Sequence, residues 1–500
     1  MAKITLNGRP VEAADGTLLI DVAKQAGVAI PHYCYHPALG NPGNCRMCLV
    51  EIKGAPKLMP SCRVRVADGM VVSTESPAVA AAQSGELELH LVNHPLDCPV
   101  CDQSGECGLQ DYYMSIGRYK SSMVEDKRHF EKRKPVGPRV MLDQERCIAC
   151  TRCVRFLAEV SKTHELGMFG RGHQERIDLA PGKTLDNPYS GNVVDICPVG
   201  ALTDRDFRYQ VRVWYLDRSD TVCPGCSRGC AISLHTSTQR PWHNGARRAA
   251  RIKPRFNPEV NGYWICDEGR YSYKALDRDR LGKVLKLKPS RAELSWDAAF
   301  SEVSSRVKGL LEDHGPQSLA VVASGALSNE DWRSFKKLFV DSWKLVNFAF
   351  DPAPDQAGEE DALLRRRDKV PNLKGGAALG FGDQIKSLPW ESLAHSIEAG
   401  RIKGLYVVDR DLFGVWGAKT PGLLEGLELV VFQGPWKGST GDLAHYRLPA
   451  TAWAEEDGGF TNFEGRSQGY RAALPPVGDA QPDWRIFEGL LAGLRAGRAE

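Results

Sequence analysis

The chemistry of this 500-residue chain is written in 15 cysteines that arrive in tight groups. Cys34-x10-Cys45-x2-Cys48-x13-Cys62 puts three thiols on one loop and a fourth on a following segment. Four thiolates so arranged suit a [2Fe–2S] centre. A zinc ion accepts the same x2 pair, but the hairpin, helix and strand pattern around the loop, β-grasp-like in its order, favours iron. The next set is His94-x3-Cys98-x2-Cys101-x5-Cys107. Three thiolates and one imidazole hold either a tetrahedral zinc or a [4Fe–4S] cluster with one nitrogen ligand, and spacing leaves both open.

The third set is more specific. Cys147-x2-Cys150-x2-Cys153 with a distant Cys197-Pro198 matches the bacterial ferredoxin run. A second cluster of the two-cluster kind would need cysteines at 157, 187, 190 and 193, where Leu157, Asn187, Ser190 and Val193 stand. The four cysteines present therefore make one complete [4Fe–4S] site. The fourth set is Cys223-x2-Cys226-x3-Cys230, completed by Cys266. No carboxylate occurs from Thr221 to Pro258, whereas Arg228, Arg240, Arg247, Arg248, Arg251, Lys253 and Arg255 do, and these cations are expected to stabilise an anionic cluster. With only Trp242 and Phe256 as stacking platforms, the segment makes a poor nucleic-acid face. Every cysteine is thereby used and His94 fills the one remaining position. One binuclear and three cubane clusters make an electron conduit.

The remaining composition fits that reading. An odd cysteine count without a secretory segment argues for metal ligation in a reducing compartment rather than disulfides. Lys+Arg 65 against Asp+Glu 62 excludes a polycation, and 42% apolar with 25% charged residues is an ordinary globular balance. No apolar run reaches the ~18–20 residues of a membrane span, so a partner must hold the chain at any membrane it serves.

The elements that position these ligands follow from local pattern. Asn7-Gly8 between alternating apolar residues predicts a hairpin, and Thr17 is placed to cap a helix ending at Gly27. Strands are expected at Leu49–Ile52, Arg63–Val66 and Met70–Ser73, and a helix over Val79–Val92. Residues 117–139 carry eight Lys/Arg against three carboxylates and read as a basic linker lying on its own domain or on a partner. Past residue 290, helices near Trp296–Leu311 and Asn329–Leu338 alternate with strands at Ser318–Ala323, Leu405–Val408 and Glu428–Phe432, the pattern of a mainly parallel sheet. Two motif matches are discounted: the cluster Gly376, Gly380 and Gly382 is no dinucleotide fingerprint, and Gly465-Arg-Ser-Gln-Gly469 lacks the strand and helix of a nucleophile elbow.

His94-Pro-Leu-Asp-Cys-Pro-Val-Cys-Asp-Gln-Ser-Gly-Glu-Cys107 and Cys147-Ile-Ala-Cys-Thr-Arg-Cys-Val-Arg155, with the ordered cysteine sets, resemble the large iron–sulfur subunit family of respiratory complex I, the 75 kDa subunit in mitochondria. The resemblance implies iron rather than zinc at His94. The fourth set with Cys266-Asp-Glu-Gly-Arg270 resembles the [4Fe–4S] module that opens molybdopterin oxidoreductases, retained in some bacterial members off the main electron path. Leu448–Trp453 and Gly459–Arg466 resemble that family's C-terminal domain, here too short for a complete pterin-binding region.

An α+β multi-domain chain is implied: a [2Fe–2S] ferredoxin-type β-grasp domain over 1–78, a His/Cys [4Fe–4S] domain over 79–118, the basic linker over 119–139, and a [4Fe–4S] ferredoxin-like domain over 140–215. A [4Fe–4S] domain of the Mo/W-oxidoreductase type over 216–272 and a degenerate molybdopterin-oxidoreductase-like α/β domain over 273–500 complete it. The implied role is electron relay from a partner that binds NADH and FMN towards quinone, coupled to proton translocation. No catalytic site, molybdopterin, zinc or molybdenum is expected in the chain itself. It would sit peripherally on the cytoplasmic side of the bacterial inner membrane, held by other peripheral-arm subunits. A diaphorase-type subunit of an NAD-linked hydrogenase and a formate dehydrogenase-like molybdoenzyme are the competing classes.

Overall fold

The structure is a computed structural model that describes residues 1–350 and 358–496, and the chain divides into two compact units, Met1–Tyr215 and Leu216–Glu500. The first unit opens with the expected hairpin. Ala2–Leu6 pairs antiparallel with Arg9–Ala13 through Asn7 and Gly8, whose φ of 47° and 76° are what a two-residue hairpin turn requires. Ala2–Leu6 also runs parallel to Val71–Ser73, which pairs with Leu49–Ile52, which pairs with Met59–Pro60. Helix Leu19–Gln25 buries Leu19, Ile20, Val22 and Ala23 against this sheet.

Two expectations fail here for one reason. Thr17 does not cap the helix: its hydroxyl donates to the Ala14 carbonyl at 2.8 Å, and Leu18 occupies the N-cap without a side-chain bond. The first helical amides are served instead by main chain, Leu19 N–H donating to Val64 O (2.9 Å) and Ile20 N–H to Ser61 O (3.3 Å). Val64 lies in the segment expected to be the strand Arg63–Val66, and Ser61 two residues before it. That segment makes a bridge between Leu18 and Arg65 but no strand, because its Val64 carbonyl is spent on the helix end.

Helix Pro77–Leu91 begins two residues earlier than expected, where Ser76 Oγ accepts from Val79 N–H at 3.3 Å. The basic segment after residue 117 lies on its own unit. Lys127 donates to the Leu91 and Val92 carbonyls at 3.0 and 2.7 Å, satisfying the end of that helix, and Arg118 pairs with Glu88 at 3.0 Å.

The second unit starts with an antiparallel sheet of Asp217–Val222, Ala231–Thr236 and Ala249–Pro254. It continues in a mixed sheet ordered Ala292–Glu293, Leu285–Lys286, Tyr446–Pro449, Leu429–Gly434, Gly404–Val408, Leu319–Ala323, Asn347–Ala349. The last five run parallel. Leu319–Ala323, Gly404–Val408 and Leu429–Gly434 are buried along their whole lengths, which is why they read as unbroken apolar runs. Helix Trp296–His314 is capped by Ser295, and the expected helix over Asn329–Leu338 is regular to Phe335, then widens into π-type turns over Lys336–Ser342. Ser467 sits on the hairpin Gly458–Thr461/Ser467–Tyr470, not on a strand-to-helix elbow.

The C-terminal ends of these parallel strands, where α/β folds commonly seat ligands, are packed with side chains of the chain itself. Glu455 takes Arg280 in a bidentate pair at 2.7 and 2.6 Å and Arg248 at 2.8 Å. Beside it lie buried carboxyls without such partners: Asp331, Asp483 and Glu456 repel one another, and burial pushes all three up. Burial also pushes Asp409 up to about 7. Burial thus favours the protonated form of each in the folded chain, so unfolding above the ordinary carboxyl range of about 4 releases protons and stability falls as pH rises from there. Glu456→Gln keeps the acceptor that takes Thr451 Oγ1–H at 2.6 Å and removes one such proton. Thermal unfolding of the full chain should show a higher midpoint than wild type at pH 8 and the same midpoint at pH 4; a lower midpoint at pH 8 would mean that Glu456 is ionised in the fold.

Candidate iron–sulfur centres

At the first set, the loop from Tyr33 to Cys48 turns its amides onto sulfur: Tyr33 N–H and Cys34 N–H donate to Cys45 Sγ at 3.5 and 3.4 Å. Cys34, Cys45, Cys48 and Cys62 are all buried, and their thiols hydrogen-bond one another, Cys34 with Cys45 and Cys62, and Cys48 with Cys62. Those bonds hold Cys34 well below the ordinary thiol range, and by the same contacts push Cys45 and Cys62 up.

The second set is assembled from three places. His94 follows the helix that ends at Leu91, Cys98 and Cys101 flank a single 3₁₀ turn, and Cys107 precedes helix Gly108–Ile116. Cys98 is exposed, while Cys101 and Cys107 are buried and both feel the charge of Cys98, Cys107 that of Cys101 as well. Desolvation, aided by Arg146, lowers His94 to about 4, so its ring is neutral at physiological pH with a lone pair to offer. Its Nδ1 is buried without a hydrogen-bond partner. His94, Cys98 and Cys107 line one cavity of about 380 Å³. Arg146, itself buried, pairs with Asp97 at 2.9 Å and Asp143 at 3.3 Å and is a cation acting on Cys101.

The third set closes around a cavity of about 20 Å³ lined by Cys147, Cys150, Cys153 and Cys197. The left-handed φ of Ala149 (52°) and Thr151 (61°) alternates the peptide planes, so that the Ala149 and Arg152 amides point at Cys147 and Cys150 sulfur. Burial pushes Cys147 up to about 12, Cys150 to about 11 and Cys153 well above its ordinary value.

In the second unit, Cys223, Cys226, Cys230 and Cys266 are all buried, and Cys223, Cys230 and Cys266 each feel at least one other thiol of the set, Cys226 among them in every case. Gly269 N–H donates to Cys266 Sγ at 3.4 Å. The expected cation shell is corrected by the structure. Of the seven residues proposed, Arg228 acts on Cys230, but Arg248 is engaged by Asp277 and Glu455, and Arg255 by Asp220. The other cation acting on Cys226 and Cys266 is Lys369, far along the chain. It belongs to a strap over 361–369: Arg366 N–H donates to Cys226 sulfur, Ser227 Oγ donates to Asp368 at 2.6 Å, and Arg228 and Arg366 both stack on Phe463 at 4.9 and 4.2 Å. Nothing local in the sequence signals that strap.

The donors fit iron–sulfur groups. Among the described residues no three His, Cys, Asp or Glu side chains converge on one metal-ion position, and the sets are defined by their neighbouring thiols. Buried thiols pushed this far up keep their protons unless a cationic centre takes them as thiolates. Glycine stands where main chain presses against cysteine sulfur: a Cβ at Gly200 would lie 2.2 Å from Cys101 Sγ, and one at Gly269 2.8 Å from Cys223 Sγ.

Comparison with known proteins finds four family regions along the chain. A 2Fe-2S iron-sulfur cluster binding domain matches residues 1–77, an NADH-ubiquinone oxidoreductase-G iron-sulfur binding region 83–122, an NADH-quinone oxidoreductase subunit 3 ferredoxin-like domain 137–203, and a molybdopterin oxidoreductase domain 342–492. The mitochondrial NADH-ubiquinone oxidoreductase 78 kDa subunit of Candida albicans is 38% identical across 99% of this chain and 83% of its own length. The chain belongs to the family of large iron–sulfur subunits of NADH-quinone oxidoreductase. Its Rickettsia felis member is 29% identical over 99% of the chain and 88% of its own length. A solved NAD⁺-reducing [NiFe]-hydrogenase chain aligns with 42% of this chain and 91% of its own at 30% identity, with a TM-score of 0.39. Membership in the large iron–sulfur subunit family accounts for the iron–sulfur and molybdopterin-oxidoreductase regions in their observed order.

Proposed function

We infer that this chain is the iron–sulfur electron-transfer subunit of an NADH–quinone oxidoreductase, relaying single electrons and performing no bond chemistry of its own. One observation carries the reading. Cys34 and Cys45 of the first set, Cys107 of the second and Cys150 of the third are buried in a single apolar cluster, against which Cys147 and Cys197 also pack. Three electron-carrying groups held in one dry core are arranged to hand charge between them, and a shell of low polarity keeps water and side reactions away.

The finer assignment is one [2Fe–2S] group on Cys34, Cys45, Cys48 and Cys62, and three [4Fe–4S] groups on His94/Cys98/Cys101/Cys107, Cys147/Cys150/Cys153/Cys197 and Cys223/Cys226/Cys230/Cys266. These groups supply one-electron oxidation and reduction; the chain's own residues fix their positions and tune them through amides and charge. In this reading NADH and FMN are bound by a partner subunit, and the electrons pass on to further iron–sulfur subunits towards quinone. Among the described residues no helix is long and apolar enough to cross a membrane; in this reading partner subunits hold the chain on the cytoplasmic side of the bacterial inner membrane.

Metal analysis tests the assignment: the loaded chain should carry about 14 iron atoms, from one two-iron and three four-iron groups. Iron near ten would remove one four-iron group, and stoichiometric zinc would overturn whichever set held it.

A further inference from the structure

We propose that Arg155 is a positioning residue that locks the ligand loops of the first and third cysteine sets together and places one positive charge between them. The proposal rests on the reading that those sets hold iron–sulfur groups. Arg155 ends the short helix Arg152–Arg155, two residues after the ligand Cys153. Its guanidinium reaches both loops at once. Nη2 donates to the carbonyl of Cys34 at 2.5 Å and to that of Cys150 at 3.4 Å. Nη1 donates to Gly40 O, and Nε to Thr151 Oγ1 at 3.2 Å. Two of those acceptors are the backbone of ligand residues, one from each set.

The surrounding contacts repeat the same link. Arg152 donates to Tyr35 O at 2.5 Å and to Ile196 O, next to the ligand Cys197, at 3.2 Å. Asn44 Nδ2 donates to Ala149 O at 3.2 Å, and Gly40 N–H donates to Glu159 Oε2 at 2.5 Å. Loops 105–121 residues apart in sequence are thereby pinned at several points, with Arg155 at the centre. Only a planar fork of fixed donors can serve carbonyls of both loops simultaneously; an ammonium on a flexible stem cannot hold that geometry. The guanidinium is half-buried, and Cys150 and Cys34, one thiol from each set, come first among the charges it feels, ahead of the Glu159 carboxylate and Arg152. A cation favours the reduced, more negative state of each neighbouring centre.

The test is an EPR redox titration of the assembled complex. Arg155→Gln removes the charge and most of the fork, and the midpoints of the first and third centres should both fall while those of the second and fourth stay. Arg155→Lys restores charge without the fork. Its midpoints should return towards wild type, while the power saturation of the first centre's signal, which reports the spin of its neighbour, should stay altered. A shift at one centre alone, a shift at neither, or restoration of both readouts by lysine overturns the proposal. Should the glutamine variant lose iron from these two sets, the lysine variant decides by the same two readouts. Loss from both sets in both variants, with the second and fourth loaded, is the positioning role at full strength. A wild-type chain with no iron at the two sets would instead overturn the reading on which the proposal stands.

Discussion

Cys150→Ala is expected to abolish NADH-to-quinone turnover in the assembled complex, whereas Cys226→Ala is expected to leave most turnover per assembled complex and to lower its yield. Both changes remove one of four thiols from a buried set, so the local chemistry is the same. Their surroundings differ. Cys150 lies in the apolar cluster that also buries Cys34, Cys45 and Cys107, and Cys197 of its set feels the charge of Cys107. A group lost there interrupts a row of three, and single electrons do not cross the resulting gap at a useful rate. Cys226 belongs to the other compact unit, where its set is tied by Arg366, Ser227 and the 361–369 strap into a fold whose ligand edge is filled by its own side chains. A group there braces the strap, and its loss should loosen the unit. Turnover normalised to assembled complex, with iron measured on the same samples, separates the cases; equal loss of turnover in both variants would put the fourth set on the electron path.

The cysteine sets stand out in the sequence because the members of each lie mostly on one short loop, with the spacing that a bound cluster would impose. The third set needed only its x2 spacings and the Cys197-Pro198 pair. The parallel sheet was legible for a similar reason, since a strand buried on both faces must be apolar throughout, as Leu319–Ala323 and Gly404–Val408 are. What escaped was long-range. Thr17 carries every mark of a cap, yet the Val64 and Ser61 carbonyls reach the helix amides first, and the expected strand Arg63–Val66 is consumed in doing so. A run of arginines looked like a cluster's counter-charge, but Asp277, Glu455 and Asp220 claim Arg248 and Arg255, and Lys369 arrives from a strap with no motif. Arg155 was visible within a ligand-bearing stretch, but nothing about its neighbours in sequence reveals that its donors serve the loop at Cys34.

Gly200→Ala is the smallest change expected to remove a whole cluster. Gly200 is not held at a positive φ, so alanine carries no backbone strain there, and the effect must come from space alone. The added methyl would lie 2.2 Å from Cys101 Sγ, 3.2 Å from Gln103 Cβ and 3.7 Å from Arg146 Cδ. The sulfur must move, because the competing movement would displace a buried arginine already held by Asp97 and Asp143. Forcing one methyl into a packed site costs about 1–3 kcal/mol. The fold can absorb that, but a ligand displaced by this much cannot keep its iron bond, since metal sites tolerate only ~0.2 Å in ligand distance. Iron should therefore fall by about four atoms per chain, with the signal of the His94 centre lost and the others intact. Two further glycines calibrate the result. A Cβ at Gly269 would meet Cys223 Sγ at 2.8 Å and one at Gly225 would meet it at 3.5 Å. Gly269→Ala should weaken the fourth centre and Gly225→Ala should leave it untouched, so that iron loss follows the closeness of approach. Full iron and an unchanged His94-centre spectrum in the Gly200→Ala chain would show that Cys101 is not a ligand of that centre.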